Sequence, residues 1–177
     1  MLRFACNDDP VTEDRGNTIS VFNGPAPTIR VLDSLKAETT TVSKWIMDLK
    51  NEGVAPHELG VFVRSAAELD RARAAVKDAG LAFKILDEKV ETTSGHVSIS
   101  PMHLAKGLEF RAVVVMACDD EIIPLQERIE TVADDTDLEE VYNTERHLLY
   151  VACTRARDYL LVTSGDTPSE FLDDLRI

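Results

Sequence analysis

The sequence predicts an α/β fold in which a mostly parallel sheet carries helices on both faces. Short apolar runs of strand length alternate along the chain with longer segments that have helical periodicity. The apolar runs are continuous rather than alternating with polar residues, which is typical of strands that are buried on both faces. Helical segments between successive strands supply the crossover connections that parallel strands require.

The strands and helices follow one another in an order that each local pattern justifies. Apolar, β-branched runs bounded by turn residues predict six strands, at 28–33, 59–63, 82–86, 96–100, 112–118 and 159–163. Helix 39–53 is predicted from Val42, Trp45, Ile46 and Leu49 at helical spacing before Gly53. Further helices are predicted at 66–80, 137–155 and 169–175, the last with Ser169 as its N-cap.

Length and composition place the chain among ordinary globular proteins. Its 177 residues form one domain of a size that buries roughly 70% of the unfolded surface. The longest uncharged apolar run, 112–118, is far shorter than the ~20 residues of a membrane helix, and the N-terminus lacks an apolar signal core. Its odd set of three cysteines without a C-x-x-C pair favours a reducing compartment. We therefore expect a cytoplasmic protein without a membrane partner, with residues 1–25 as a tail or linker and 26–177 as the folded domain.

The net charge of −13 argues against a general nucleic-acid binder. Much of the excess is local, since the segment 127–140 contains seven acids and one base, Arg128. This pattern indicates a solvated loop that leads into a helix, and it is also a surface on which a basic protein partner could bind. A basic groove for DNA remains compatible with the total charge.

Two charged segments, HLAKGLEF at 103–110 and TRAR at 154–157, predict contacts with phosphate. Ligands of parallel α/β sheets collect at the carboxyl ends of the strands, so we expect both segments at that edge. None of the eight glycines is followed by lysine, so the chain lacks the G-x-x-x-x-G-K-[ST] loop that surrounds nucleotide phosphates. Asp119 and Asp120 follow an apolar strand as Mg²⁺-binding acids do, but without that loop they are better read as ordinary loop acids. We therefore expect no ATP hydrolysis by this chain alone.

The two segments resemble the last motifs of superfamily-one DNA helicases of the UvrD/Rep/PcrA type. HLAKGLEFRAVVV and ERHLLYVACTRARDYLLV occur in the family's order, LGVFVRS matches the segment before them, and TPSEFLDDL resembles the end of the domain. The resemblance implies the second RecA-like domain of such an enzyme, a three-layer fold of the P-loop NTPase type without its own Walker A loop. In that family the missing loop belongs to the first motor domain.

The resemblance implies a nucleotide role for four residues. Arg155 matches the arginine finger that reaches the γ-phosphate, a role that suits a rigid and permanently charged guanidinium. Glu109 matches the glutamate that accepts a hydrogen bond from the ribose, and Gly107 permits the tight backbone path beside it. Lys106 faces the phosphates or pairs with an acid. ATP with Mg²⁺ is the implied cofactor, held mainly by the first motor domain.

The resemblance places single-stranded DNA on His103, Arg64 and Ser65. Glu145 falls on the apolar stripe of helix 137–155, so we expect a buried ion pair with a basic residue rather than a ligand contact. Several positions depart from the family pattern, namely Pro101, His147, Val63 and Ala66, and the departures affect the DNA residues most. Only nine residues separate strands 82–86 and 96–100, where larger helicases insert an accessory subdomain.

The sequence thus predicts the second motor domain of an ATP-dependent DNA helicase or translocase that moves 3′ to 5′. Three alternatives remain open. The chain could be a non-enzymatic interaction module with this fold, a remodeller of a complex such as RNA polymerase on nucleic acid, or a self-contained nucleotide-binding enzyme.

Overall fold

The computed structural model describes residues 25–176, so that nearly all of the predicted tail 1–25 lies outside the described residues. The strands are β1 Thr28–Val31, β2 Leu59–Val63, β3 Phe83–Ile85, β4 Val97–Pro101, β5 Phe110–Val115 and β6 Ala156–Ser164. The helices are α1 Leu35–Asn51, α2 Leu69–Asp78, α3 Gln126–Glu130 and α4 Asp135–Cys153. Short 3₁₀ helices lie at Pro56–Glu58, Ala66–Glu68, Met102–Leu104 and Glu170–Leu175.

The six strands form one sheet in the order β1-β6-β5-β2-β4-β3. Every neighbouring pair of these strands is parallel. All five residues of β2 are buried, as expected for a strand near the centre of a sheet that is covered on both faces. The predicted α/β fold is confirmed.

The sheet separates two apolar cores. Helices α1 and α2 cover one face, where side chains such as Ile46 and Val76 pack on Val61 and Val114. Helix α4 and the segment after β4 cover the other face, where Leu149 packs with residues such as Phe62 and Phe110. The molecule therefore has three layers, and the predicted site segments belong to the layer that contains α4.

Two helices begin earlier than the sequence predicts because polar side chains cap their first turns. Ser34 Oγ accepts a hydrogen bond from the Ala37 N–H at 3.2 Å, so α1 begins at Leu35 rather than at residue 39. Asp134 accepts hydrogen bonds from two backbone N–H groups at 3.0 Å each, so α4 begins at Asp135. Ser169 caps the last helix as predicted, although that helix is of the 3₁₀ type.

Strand β5 ends at Val115, three residues before the predicted end. Ala117 has a left-handed backbone with φ of 59°, and its N–H donates to Glu38 Oε1 at 2.9 Å instead of to a neighbouring strand. Helix α3 was not predicted, because four of its five residues lie in the acidic segment 127–140, which the composition marks as a loop.

The connection from β4 to β5 positions the predicted site. Strand β2 lies between these two strands, so residues 102–109 run from the carboxyl end of β4 to the amino end of β5. We call residues 102–109 the crossover segment. It begins at one edge of the sheet and ends at the opposite edge.

Among residues 25–176, no helix has the combination of length and apolar composition that crossing a membrane requires.

Candidate functional site

Arg155 lies at the amino edge of the sheet. It stands between the end of α4 at Cys153 and the start of β6 at Ala156. Its carbonyl accepts the N–H of Phe110, the first residue of β5, at 2.9 Å. The expectation that Arg155 lies at the carboxyl edge is wrong, because α4 returns the chain to the amino end before the parallel strand β6 begins.

The guanidinium of Arg155 is half-buried and is held by neutral acceptors. Nε donates to the Val151 carbonyl at 3.1 Å, Nη1 donates to the Leu108 carbonyl at 3.2 Å, and Nη2 donates to Thr154 Oγ1 at 3.1 Å. Within the described part of the chain, no carboxylate lies within ion-pair distance of this arginine. A guanidinium has five N–H donors, so two of them and the full positive charge remain for a ligand.

The end of the crossover segment brings the other predicted nucleotide residues to the same edge. The Leu108 carbonyl that binds Arg155 lies between Gly107 and Glu109 in the chain. Lys106, Gly107 and Glu109 are all exposed. Gly107 has a φ of 83°, a conformation that glycine adopts without steric cost. Glu109 immediately precedes β5, so its carboxylate is displayed beside the start of the sheet.

A second charged cluster at the amino edge was missed by the sequence reasoning. The register of β5 and β6 is irregular between Phe110 and Ala112, where β6 contains an extra residue. Asp158 there accepts a hydrogen bond from Arg157 Nε at 3.2 Å and one from Arg111 Nε at 3.1 Å. The bond from Arg157 is the main reason that the pKa of Asp158 is lowered. Arg157 and Asp158 are adjacent in sequence, so their pairing was a detectable signal.

Glu145 lies buried in the middle of α4 and is shared by two arginines. Arg64 donates to it from Nε at 2.6 Å and from Nη2 at 2.5 Å. Arg128 Nη1 and the Leu125 N–H add bonds of 2.8 Å and 3.1 Å. Burial raises the pKa of Glu145, but the hydrogen bonds and the charge of Arg64, with the two further donors, outweigh it and lower the pKa.

The predicted DNA residues lie at the opposite, carboxyl edge. Val63 pairs with Pro101, so Arg64 and Ser65 after β2 lie beside His103 after β4. His103 is exposed and Ser65 is half-buried. Arg64 is only 7% exposed and is committed to Glu145, so the expected direct contact between Arg64 and DNA does not fit this conformation.

A buried network of charges occupies the carboxyl ends of β5 and β6. Arg71 forms ion pairs with Glu38 and, at 2.6 Å, with Asp119. Asp119 also accepts hydrogen bonds from Ser164 Oγ and the Gly165 N–H, each at 2.8 Å. Asp119 is therefore a buried structural acid rather than the ordinary loop acid that the sequence predicted. In residues 25–176, no three histidine, cysteine or acidic side chains form a metal-ligand group.

Two open grooves of about 500 and 600 Å³ run along α4. Residues such as Glu140, Asn143 and His147 line the first, and residues such as Arg146, Tyr150 and Phe171 line the second. Lys106, Glu109 and Arg155 line neither groove. Lys106 and Glu109 are exposed, whereas Arg155 is half-buried.

Comparison with known proteins shows a resemblance to one helicase family. Residues 82–167 match the family model of the UvrD-like helicase C-terminal domain. The match spans slightly less than half of the chain, and this part of the chain is similar to that domain. The matched residues contain the crossover segment, α4 and β6, so the region of similarity includes Arg155, Glu109, His103 and Glu145.

Curated relatives of the chain carry helicase names. The chain is 39% identical over 85 residues to ATP-dependent DNA helicase UvrD1 of Mycobacterium leprae, covering 48% of the chain and 10% of the relative. It is 34% identical over 99 residues to ATP-dependent DNA helicase PcrA of Staphylococcus epidermidis, covering 50% of the chain and 13% of the relative. It is 33% identical over 128 residues to the putative ATP-dependent DNA helicase YjcD of Bacillus subtilis, covering 71% of the chain and 15% of the relative. The chain thus spans a small part of each relative.

A solved structure supports the fold of the chain. The crystal structure of the C-terminal domain of a possible DNA helicase from Lactobacillus plantarum WCFS1 superposes with a TM-score of 0.63 at 23% identity. The match covers 88% of this chain and 86% of the other. At this identity the likeness shows a shared fold.

Proposed function

We propose that the chain is the second RecA-like motor domain of an ATP-dependent superfamily-one DNA helicase or translocase. It supplies an arginine finger, part of the ATP site and part of a surface for single-stranded DNA. The family resemblance and the helicase relatives support this assignment. The first motor domain supplies the Walker A loop, and the motor moves 3′ to 5′.

The state of Arg155 is the observation that carries the proposal. A half-buried guanidinium normally finds a carboxylate, yet this one is bound to two carbonyls and a hydroxyl. Among the described residues its charge therefore has no carboxylate partner, and two of its N–H donors have no acceptor. This arrangement suits a ligand with several negative oxygens, since a guanidinium can donate two parallel bonds to a phosphate. In the proposed motor, closure of the cleft brings Arg155 to the γ-phosphate.

The neighbours of Arg155 fit a nucleotide. Glu109 has an exposed carboxylate that accepts hydrogen bonds from ribose hydroxyls. Lys106 adds an exposed positive charge near the phosphates, and Gly107 provides the turn between Lys106 and Glu109. The residues described include no metal-ligand group of their own, so Mg²⁺ is assigned mainly to acids and phosphate contacts of the first motor domain.

His103 and Ser65 are the proposed contacts with single-stranded DNA. They lie on neighbouring strand ends at the carboxyl edge, and a phosphate can accept a hydrogen bond from either. Arg64 supports them indirectly through Glu145 and α4. Because the crossover segment contains His103 at one end and Glu109 at the other, movement of the segment connects the DNA surface with the nucleotide surface.

The experiment that tests the proposal replaces Arg155 with alanine in the complete protein. Loss of an arginine finger reduces turnover by about 10³-fold or more, so DNA-stimulated ATP hydrolysis should nearly disappear. Arg73 on α2 is a matched control, since it is a partly exposed arginine whose partner Asp70 lies on the same helix. Arg73→Ala should leave hydrolysis unchanged. Equal activity of the two variants would refute the assignment of the finger.

One observation favours an additional protein partner. The only base in the acidic segment 127–140 is Arg128, and it is bound to the buried carboxylate of Glu145. The exposed acids of the segment therefore keep their charge, which favours a basic partner. A protein that used this surface alone would be an interaction module, and Arg155→Ala would leave its binding unchanged.

A further inference from the structure

We propose that Thr154 is a positioning residue that orients the guanidinium of Arg155 for phosphate. This inference rests on the proposed function, because it concerns how the arginine finger is held before a nucleotide arrives. The hydrogen bonds around the Thr154 hydroxyl support this role.

Three hydrogen bonds around Thr154 form a closed ring. Thr154 Oγ1 donates to the Val151 carbonyl at 2.9 Å. Arg155 Nε donates to the same carbonyl at 3.1 Å, and Arg155 Nη2 donates to Thr154 Oγ1 at 3.1 Å. Because a hydroxyl has one hydrogen, its donation to Val151 leaves only lone pairs to face Arg155. Thr154 is thereby fixed as an acceptor for the guanidinium.

The ring fixes one edge of the guanidinium and leaves another edge open. The Val151 carbonyl and Thr154 Oγ1 take donors along the edge that contains Nε and Nη2, while the Leu108 carbonyl takes one donor of Nη1. The two remaining N–H groups belong to Nη1 and Nη2, which form the fork that binds phosphate with two bonds. Without the hydroxyl, Nη2 would lose the one partner that it has within residues 25–176, and the fork could rotate about the long side chain.

A purely structural role for Thr154 predicts different behaviour. Thr154 is the C-cap of α4, and its hydroxyl also satisfies a terminal carbonyl of that helix. Thr144 offers a matched control on the same helix, because its hydroxyl donates to the Glu140 carbonyl at 2.9 Å and is exposed. Thr144 accepts no hydrogen bond from an arginine in the described part of the chain, so its loss removes the helix contact alone.

The experiment compares Thr154→Val, Thr154→Ser and Thr144→Val in the complete protein, with Arg155→Ala as reference. The measurements are kcat and KM for ATP in DNA-stimulated hydrolysis, together with the melting temperature. A hydrogen bond to a charged group corresponds to at least about a tenfold effect, so Thr154→Val should lower kcat about tenfold with little change in KM. Thr154→Ser keeps the hydroxyl and should restore kcat, and Thr144→Val should match the unmodified protein.

Each outcome decides the matter. Equal kcat for Thr154→Val and Thr144→Val, failure of serine to restore kcat, or a loss seen only in melting temperature would overturn the positioning role. If Arg155→Ala abolishes hydrolysis while Thr154→Val does not impair it, this inference alone fails. If Arg155→Ala leaves hydrolysis intact, the assignment of the finger fails and the inference fails with it.

Discussion

At the residue scale, Arg64 and Arg155 show that the partner of an arginine decides whether its charge is available to a ligand. Arg64 is bound by both oxygens of a buried carboxylate, so its charge is neutralised within the protein. Arg155 is bound by two carbonyls and a hydroxyl, so these partners do not neutralise its positive charge. Both arginines follow apolar segments in the sequence. Two of the three partners of Arg155, Val151 and Thr154, are its neighbours in the chain. The partner of Arg64 is 81 residues away, so only the fold brings that pair together.

Gly107 permits a prediction about the backbone of the crossover segment. A Cβ at this position would meet no atom within 4 Å, so the cost of Gly107→Ala comes only from the φ of 83°. That cost is about 1–2 kcal/mol for an L-residue in the left-handed region. Gly80→Ala, with φ of 69° and equally open space, is the matched control.

Urea unfolding should show a similar loss of stability for the two glycine variants. Hydrolysis by the complete protein should fall only for Gly107→Ala, because Gly107 precedes the carbonyl that holds Arg155. A loss of hydrolysis in both variants would show that the effect is one of stability and not of the site.

At the scale of elements, Glu145 connects α4 with β2 and α3. Its partners Arg64, Arg128 and Leu125 lie at the end of β2, in α3 and immediately before α3. The five residues of α3 are too few for a stable isolated helix, so this carboxylate contributes to its position. The same connection holds the start of the acidic segment against the domain.

We predict that Glu145→Gln destabilises the domain strongly because it leaves Arg64 buried without a countercharge. Removing one partner of a buried pair costs about 3–5 kcal/mol. The double variant Glu145→Leu with Arg64→Met removes both charges and should be more stable than Glu145→Gln. Urea unfolding of the single and double variants tests this, and a double variant that is the least stable of the set would contradict it.

At the scale of the whole molecule, the proposed nucleotide and DNA residues lie at opposite edges of one sheet. Arg155 and Glu109 lie at the amino edge, whereas His103 and Ser65 lie at the carboxyl edge. The sheet and its two apolar cores form a stiff body between them, because protein interiors are closely packed. The crossover segment is the direct connection that contains residues of both surfaces.

We expect this chain by itself to bind ATP very weakly and to hydrolyse none. The proposed nucleotide residues have no Walker A loop beside them in this chain, so few phosphate contacts are available. Titration calorimetry with a non-hydrolysable ATP analogue provides the measurement. The Arg155→Ala variant is the control that shows how much of the binding heat depends on the proposed site. A micromolar dissociation constant for the isolated chain would favour a self-contained nucleotide-binding enzyme instead.

Much of the fold and part of the site follow from local pattern. The apolar runs predicted all six strands, and their continuous character predicted a parallel sheet because each strand must be covered on both faces. Gly107, Glu109 and Arg155 became candidate site residues because two short segments resemble helicase motifs. Helix starts were displaced where Ser34 and Asp134 act as caps, since capping depends on which nearby N–H groups a side chain reaches.

The sequence by itself determined the six strands, the longer helices, the resemblance to a helicase family and the candidate residues, because these depend on neighbours within a few turns of chain. Tertiary structure alone decided the edge at which each candidate lies and the partner of each buried charge. Arg71 is 33 residues from its partner Glu38 and 48 residues from its partner Asp119. Arg64 is 81 residues from Glu145. Such pairs depend on the order of strands in the sheet, and that order follows from how the whole apolar surface is buried.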